Sequence, residues 1–216
     1  EFSETGISLH RRCGMRSGLP GHDLIIEQID AGSKVLDLGC GNGELLQALK
    51  DARNVDGYGI EISTEAVNAS LARGVYACHG DIDEGLSDYR DASFDYVVLN
   101  QTIQNTKKPD LVLQEVVRIG RRVIVSFPNF SYYRLRTSFF FRGSMPKTHA
   151  LPYEWYNTPN IHMLTVTDFR RFCATYGMRI IQEQHFCFNR AQGESSRRRL
   201  LPNLLAEYGF FVIERR

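Results

Sequence analysis

The sequence predicts a doubly wound α/β fold, a seven-strand sheet sandwiched between helices and finished by an antiparallel edge. Three observations predict it. An apolar run stops abruptly in alternating glycines and a helix-forming segment follows; strand-like and helix-like segments then alternate as far as residue 127; and the last two apolar segments are joined by a polar loop.

The elements follow in order. His22 to Ala31 reads as a short leading helix closed by Gly32. Lys34 to Leu38 is an apolar run of the kind a buried parallel strand needs, and Gly39, Gly41 and Gly43 after it can take positive φ and let backbone approach a ligand. Glu44 to Asp51 sets Leu45, Leu46 and Leu49 on one helical face. A second strand, Gly57 to Ile62, carries Glu61 at its end. Ser63 or Thr64 can cap a helix from Glu65 to Arg73, closed by Gly74. Val75 to His79 is a third strand running into Gly80, Asp81 and Ile82, and Phe94 to Asn100 is a fourth. Pro109 opens a helix bearing Leu111, Val112, Val116 and Val117 before Gly120, and Arg122 to Phe127 makes the fifth strand.

The second half differs in kind. Between residues 128 and 160 no clean alternation appears while aromatics crowd in, Phe139, Phe140, Phe141, Tyr153, Trp155 and Tyr156 among them. This segment reads as an insertion over the carboxyl ends of the strands, where open α/β sheets bind ligands. Thr165 or Thr167 caps a helix over Asp168 to Tyr176 that stops at Gly177. Arg179 to Phe186 and Tyr208 to Arg215 are the closing strands, with the polar loop Gln192 to Arg199 between them.

Composition agrees with one domain over residues 21–216, of a length sufficient to bury a core, preceded by a polar leader or tag remnant at 1–20. Lys and Arg number 26 against 25 Asp and Glu, so a net charge of +1 gives no global attraction to nucleic acid or anionic membrane. No apolar run approaches the roughly 18 residues of a membrane span, and the start lacks a signal-peptide core, so the expectation is a cytoplasmic protein without nucleic-acid or membrane partners. Cys13, Cys40, Cys78, Cys173 and Cys187 are odd in number and widely spaced, which indicates neither a disulfide framework nor a metal site.

The strand ends carry the chemistry. The spacing Gly-x-Gly-x-Gly is neither the nicotinamide-dinucleotide fingerprint nor a phosphate-binding P-loop. Asp37, two residues before the first glycine, suits an amino-bearing ligand better than a pyrophosphate, and Glu61 stands where a doubly wound fold presents an acid to ribose hydroxyls. The trio of glycine loop, Glu61 and Asp81 resembles the class I S-adenosylmethionine-dependent methyltransferases, a Rossmann-like sandwich. The resemblance implies that Asp37, Gly39, Gly41 and Gly43 lie beside the aminoacyl part of S-adenosylmethionine, that Glu61 and Ile62 take the ribose, and that Asp81 and Ile82 read adenine, with Asn100 completing the set.

Longer runs narrow the likeness. VLDLGCGNGELL from Val35, GDIDEGL from Gly80, FPNF from Phe127 and LPYEWYNTPNIH from Leu151 resemble the methionine biosynthesis protein family MetW, over roughly residues 22–214. The stretch from Ser17 to His22 departs from the family's more direct helix start. The family implies a partner, a homoserine O-acyltransferase (MetX-like), in methionine synthesis; the alternative is a self-sufficient methyltransferase acting on a small molecule. Methyl transfer is an in-line displacement that needs positioning more than a base, so the residues leave catalysis open. Asn100 and Gln101, ending the fourth strand, and His162 are the catalytic candidates, and His149 could also accept a proton. The Asn/Asp-Pro-Pro-aromatic run of amino methyltransferases is missing, as is a cysteine nucleophile beside proline. Structural readings stand beside these: on one, His162 orients the turn before the Thr165 helix, and Phe139 to Phe141 either pack on their own domain or meet a partner.

Overall fold

The computed structural model describes residues 20–148, 150–189 and 194–216. The leader read at 1–20 lies almost wholly outside them, as do Cys13 and His149. Among the described residues eight strands form one sheet: β1 Lys34–Leu38, β2 Asp56–Glu61, β3 Tyr76–His79, β4 Phe94–Asn100, β5 Gly120–Pro128, β6 Met178–Asn189, β7 Glu194–Arg197 and β8 Tyr208–Arg215. The helices are α1 His22–Gln28, α2 Glu44–Arg53, α3 Thr64–Ala72, α4 Pro109–Ile119, α5 Tyr133–Arg142, α6 Val166–Thr175 and α7 Pro202–Leu205.

Sheet order is β3-β2-β1-β4-β5-β8-β6-β7. The first five strands are parallel, Val35 pairing with Gly57 on one side and with Tyr96 on the other. From β1 the chain winds outward through β2 and β3, then returns to lay β4 on the opposite side of β1. That reversal opens a crevice at the carboxyl ends of β1 and β4, where open α/β sheets take ligands. Beyond β5 the sheet turns antiparallel, with β8 against β5, β6 against β8 and β7 against β6.

Strand periodicity divides the core between the two faces. Leu36, Val97, Leu99, Val125, Phe211 and Ile213 pack on one face with Val112 and Val116 of α4 and Phe169 of α6. Their neighbours Val35, Tyr96, Val98, Ile124, Phe210 and Val212 pack on the other with Leu24 and Ile25 of α1, Leu46 and Leu49 of α2 and Val67 of α3. Capping fixes several helix starts: the hydroxyl of Ser63 accepts the Ala66 N–H, and that of Thr165 accepts the Asp168 N–H.

Three expectations are corrected. The sheet has eight strands, because Glu194–Arg197, inside the segment read as a polar loop, pairs with β6. The segment 128–160 contains a helix, α5, of which Leu135 alone is buried. The leading helix ends at Gln28, three residues early, since the Gly32 N–H is drawn to the carbonyl of Arg53.

Candidate functional site

Three glycines end β1 in left-handed conformation, Gly39, Gly41 and Gly43 at φ 74°, 54° and 76°. Two of them also answer to packing. A Cβ on Gly39 would come within 2.8 Å of the Thr102 side chain, and one on Gly43 within 2.8 Å of the Ser70 hydroxyl, whereas one on Gly41 would meet nothing. Gly41 therefore keeps its backbone turned toward open space, and its N–H donates to Glu61 Oε2 at 2.9 Å.

Polar groups at the strand ends bind one another into a rim. The second oxygen of Glu61 accepts the Ser63 N–H at 3.0 Å, so this carboxylate ties the glycine loop to the start of α3 while keeping further lone pairs for a ligand. Thr102 donates its hydroxyl to the carbonyl of Leu38 at 2.9 Å, joining the ends of β1 and β4. Asp81 accepts the Asp83 N–H, and the Asp83 carboxylate accepts the N–H groups of Lys107 and Lys108, joining the loops after β3 and β4. The Lys107 ammonium stands 3.7 Å from Asp81.

Two cavities open on this rim. One, about 270 Å³, is lined by Glu61, Ile62, Asp81, Ile82, Gln101 and Lys107 among others. The second, about 320 Å³, is lined by His22, Asp37, Cys40, Gly41, Asn42 and Glu44 among others. Gly39 and Asn100 line both. A larger depression, about 970 Å³, lies beside α5 between Arg134, Phe141, Arg142 and Lys147, with Glu207 as its acid; Glu61, Asp81 and the loop glycines are not in its lining.

The second cavity holds unusual electrostatics. Asp37 is buried and its carboxyl is pushed up to about 7, first by desolvation and then by the charge of Glu61. Asp37 lines this cavity, where a cationic ligand would favour its ionised form. Burial, with Asp37 and Glu61 adding to it, pushes the Cys40 thiol up to about 12 and leaves it unreactive.

Asn100 accepts the Ser126 hydroxyl through Oδ1, which leaves its amide N–H donors at the junction of the cavities. Gln101 holds a non-glycine left-handed conformation, φ 58°, its N–H on the Ser126 carbonyl and its own carbonyl on the Gln104 side chain. His162 stands apart: its backbone N–H donates to the Gln104 carbonyl, and it lines neither cavity. Gly43 lies outside both linings as well. Sequence reasoning missed His22, Thr102 and Lys107 as site residues, and no local pattern marks them. Among the described residues no cluster of His, Cys, Asp and Glu could hold a metal ion, and no helix is long and apolar enough to cross a membrane.

The family model described as methionine biosynthesis protein MetW matches residues 20–213. The chain belongs to the MetW family. A bifunctional methionine biosynthesis protein MetXA/MetW of Rhodopirellula baltica is 36% identical to this MetW chain in an alignment of 200 residues that covers 88% of this chain but 32% of that protein. The chain thus spans about a third of that relative. A demethylmenaquinone methyltransferase of Bacillus mycoides is 28% identical over 184 residues, covering 76% of this chain and 77% of that one. Among solved structures, a SAM-dependent methyltransferase, possible histamine N-methyltransferase, of Thermotoga maritima superposes with a TM-score of 0.66 at 16% identity over 91% of this chain and 88% of its own. An S-adenosylmethionine dependent methyltransferase of Mesorhizobium loti matches with the same TM-score and identity over 91% and 96%. These likenesses establish the methyltransferase fold for this MetW protein.

Proposed function

We propose that this MetW chain binds S-adenosylmethionine in the paired cavities and acts with a homoserine O-acyltransferase in methionine biosynthesis. The cofactor reading rests on one observation, two cavities of different chemistry that meet at Gly39 and Asn100. The cavity with Glu61, Asp81 and Ile82 offers acceptors for ribose and adenine, with Ile62 beside them. The cavity with Asp37 offers a buried acceptor for an ammonium, and open space at Gly41 admits a ligand against the backbone. When bound, the cofactor would supply a sulfonium methyl group; this chain's residues would hold and orient it.

The partner reading draws support from the surface. Phe140, Phe141 and Trp155 are 83%, 79% and 73% exposed, an aromatic density that costs stability in water unless another surface covers it. The relative whose name joins MetXA to MetW supports the same pairing. The test is homoserine acylation by the acyltransferase of the same organism with and without this chain. A severalfold gain on addition is expected, and full activity of the acyltransferase alone would overturn the partner role. Adenosylmethionine can regulate such a pair only by binding the free and complexed chain with different affinity, so identical titrations of the two would remove that part.

The demethylmenaquinone methyltransferase relative favours a second reading, methyl transfer to a small molecule. Radiolabelled methyl appearing on a metabolite in the absence of any partner would establish it.

A further inference from the structure

We infer that the depression beside α5 is the docking site for an acidic segment of the partner protein, one that presents two carboxylates with an apolar side chain between them. The inference rests on the partner reading above and names the chemistry that the partner must bring.

One face of one helix supplies the recognition groups. Arg134, Thr137, Ser138, Phe141 and Arg142 line the depression, and their steps of three, four, seven and eight residues from Arg134 set them along a single stripe of α5. Leu135 lies off that stripe and packs with Tyr132 and Leu151, so it anchors the helix while Arg134, Phe141 and Arg142 stay exposed. At about 1.5 Å of rise per residue the two arginines stand roughly 12 Å apart along the helix. An extended segment advances about 3.3 Å per residue, so acids about four positions apart reach both of them.

Charge is concentrated here. From residue 128 to residue 153 the chain has Arg134, Arg136, Arg142 and Lys147 and neither Asp nor Glu. Because the whole chain carries a net charge of only +1, the rest of it is net acidic. Within the depression Lys147 is already paired with Glu154, and Glu207 is the acid of the lining. The stripe itself keeps its donors: Arg134 gives its Nε to the Tyr133 hydroxyl at 3.3 Å, which leaves the terminal nitrogens for a ligand, and Arg142 meets no carboxylate among the described residues. Guanidinium groups left in this way suit carboxylates, which they hold through paired N–H donors.

Apolar groups favour a protein segment over a polyanion. Phe141, Met145 and Pro152 share the lining with the arginines, and Phe140 stands edge-on to Phe141 at 5.0 Å. A phosphate backbone would leave that surface wet, whereas an aliphatic or aromatic side chain between two acids covers it. Arginine beside aromatic residues and methionine is also the composition that interface cores favour.

Titration of the acyltransferase of the same organism with the full chain, read by biolayer interferometry, tests this. The dissociation constant is expected to rise severalfold between about 50 and about 300 mM salt, because exposed charge pairs are screened. Arg134→Glu combined with Arg142→Glu should weaken association by about tenfold or more at the lower salt and remove most of the salt dependence. Arg136→Glu, a reversal of charge outside the lining, should weaken it by no more than about twofold. An unchanged melting temperature shows that each variant is folded, since the substituted side chains are exposed. Association of the double variant equal to that of the parent overturns the inference and leaves the partner reading standing. No association of the unaltered chain with the acyltransferase overturns both. Binding of the unaltered chain to single-stranded DNA or to phosphatidylserine vesicles more tightly than to the acyltransferase, lost in the double variant, gives the stripe to a polyanion and overturns the inference. Self-association lost in the double variant gives it to a second copy of this chain, with the same consequence.

Discussion

The parallel half of the sheet and the segment between β5 and α6 treat their side chains in opposite ways. From β1 to β5 apolar groups point inward, and the polar groups at the strand ends bond to one another, Glu61 to Gly41 and Ser63, Thr102 to Leu38, Asp83 to Lys107 and Lys108. In the segment between β5 and α6, Phe140, Phe141, Trp155 and Tyr156 are exposed, and α5 buries only Leu135. The first arrangement leaves a cleft at the strand ends; the second leaves a surface whose apolar area is uncovered. Under the proposed function, a single fold separates the surface that takes the cofactor from the surface that meets the partner.

The largest effect that sharpens this contrast concerns the core. Phe211 is fully buried, stacked on Phe127 at 5.7 Å and packed on Phe169 at 4.6 Å, so Phe211→Ala should cost about 3–5 kcal/mol in urea unfolding. A loss below about 1 kcal/mol would show that the antiparallel part does not share the core of the parallel half.

The second effect is pH dependence. The Asp37 carboxyl is raised from the ordinary value of 3.8 to about 7, so the folded ligand-free protein holds a proton there that the unfolded chain releases. Stability from this group is therefore full below pH 3.8, falls as pH rises from about 4 to 7, and stays reduced above 7. Asp37→Asn removes that fall, so its melting temperature relative to the parent should rise between pH 4 and 8. An ammonium ligand favours the ionised form, so its binding below pH 7 should release a proton, detectable by calorimetry in buffers of different ionisation enthalpy. Parallel melting curves for parent and variant across that range would contradict the burial argument.

The smallest effect is on the exposed face. Phe140→Ala should change stability by no more than about 0.5 kcal/mol, because its ring is already in water. The same substitution should reduce any activation of the acyltransferase. A variant that unfolds easily but activates fully would place Phe140 in the core economy rather than at a partner surface.

Much of the parallel half was legible in the sequence because its signals are local. The runs that became β1, β4 and β5, the Ser63 and Thr165 caps, and Pro109 at the start of α4 all express periodicity or capping chemistry that one segment carries by itself. The strand-end acids Glu61 and Asp81 were legible as well, since each follows a readable strand. What escaped notice lacks such a signal. Phe139, Phe140 and Phe141 all remain largely exposed, so α5 shows no apolar stripe, and β7 is Glu-Ser-Ser-Arg, a strand defined by backbone pairing with no apolar residue. His22 lines the second cavity because Gly21 approaches Asn100, a contact between segments some eighty residues apart in the sequence.

The short β7 strand also reaches beyond the sheet edge. Ser195 donates both its N–H and its hydroxyl to Asp23, and Arg197 pairs with Glu27, so the final edge strand fastens the helix that carries His22. The wall of the ligand chamber is thereby latched from the far margin of the sheet by residues that never touch the chamber. Anything that peels β7 away, whether a substitution at Ser195 or a binder competing for that edge, would loosen the chamber from behind without altering a single residue that lines it.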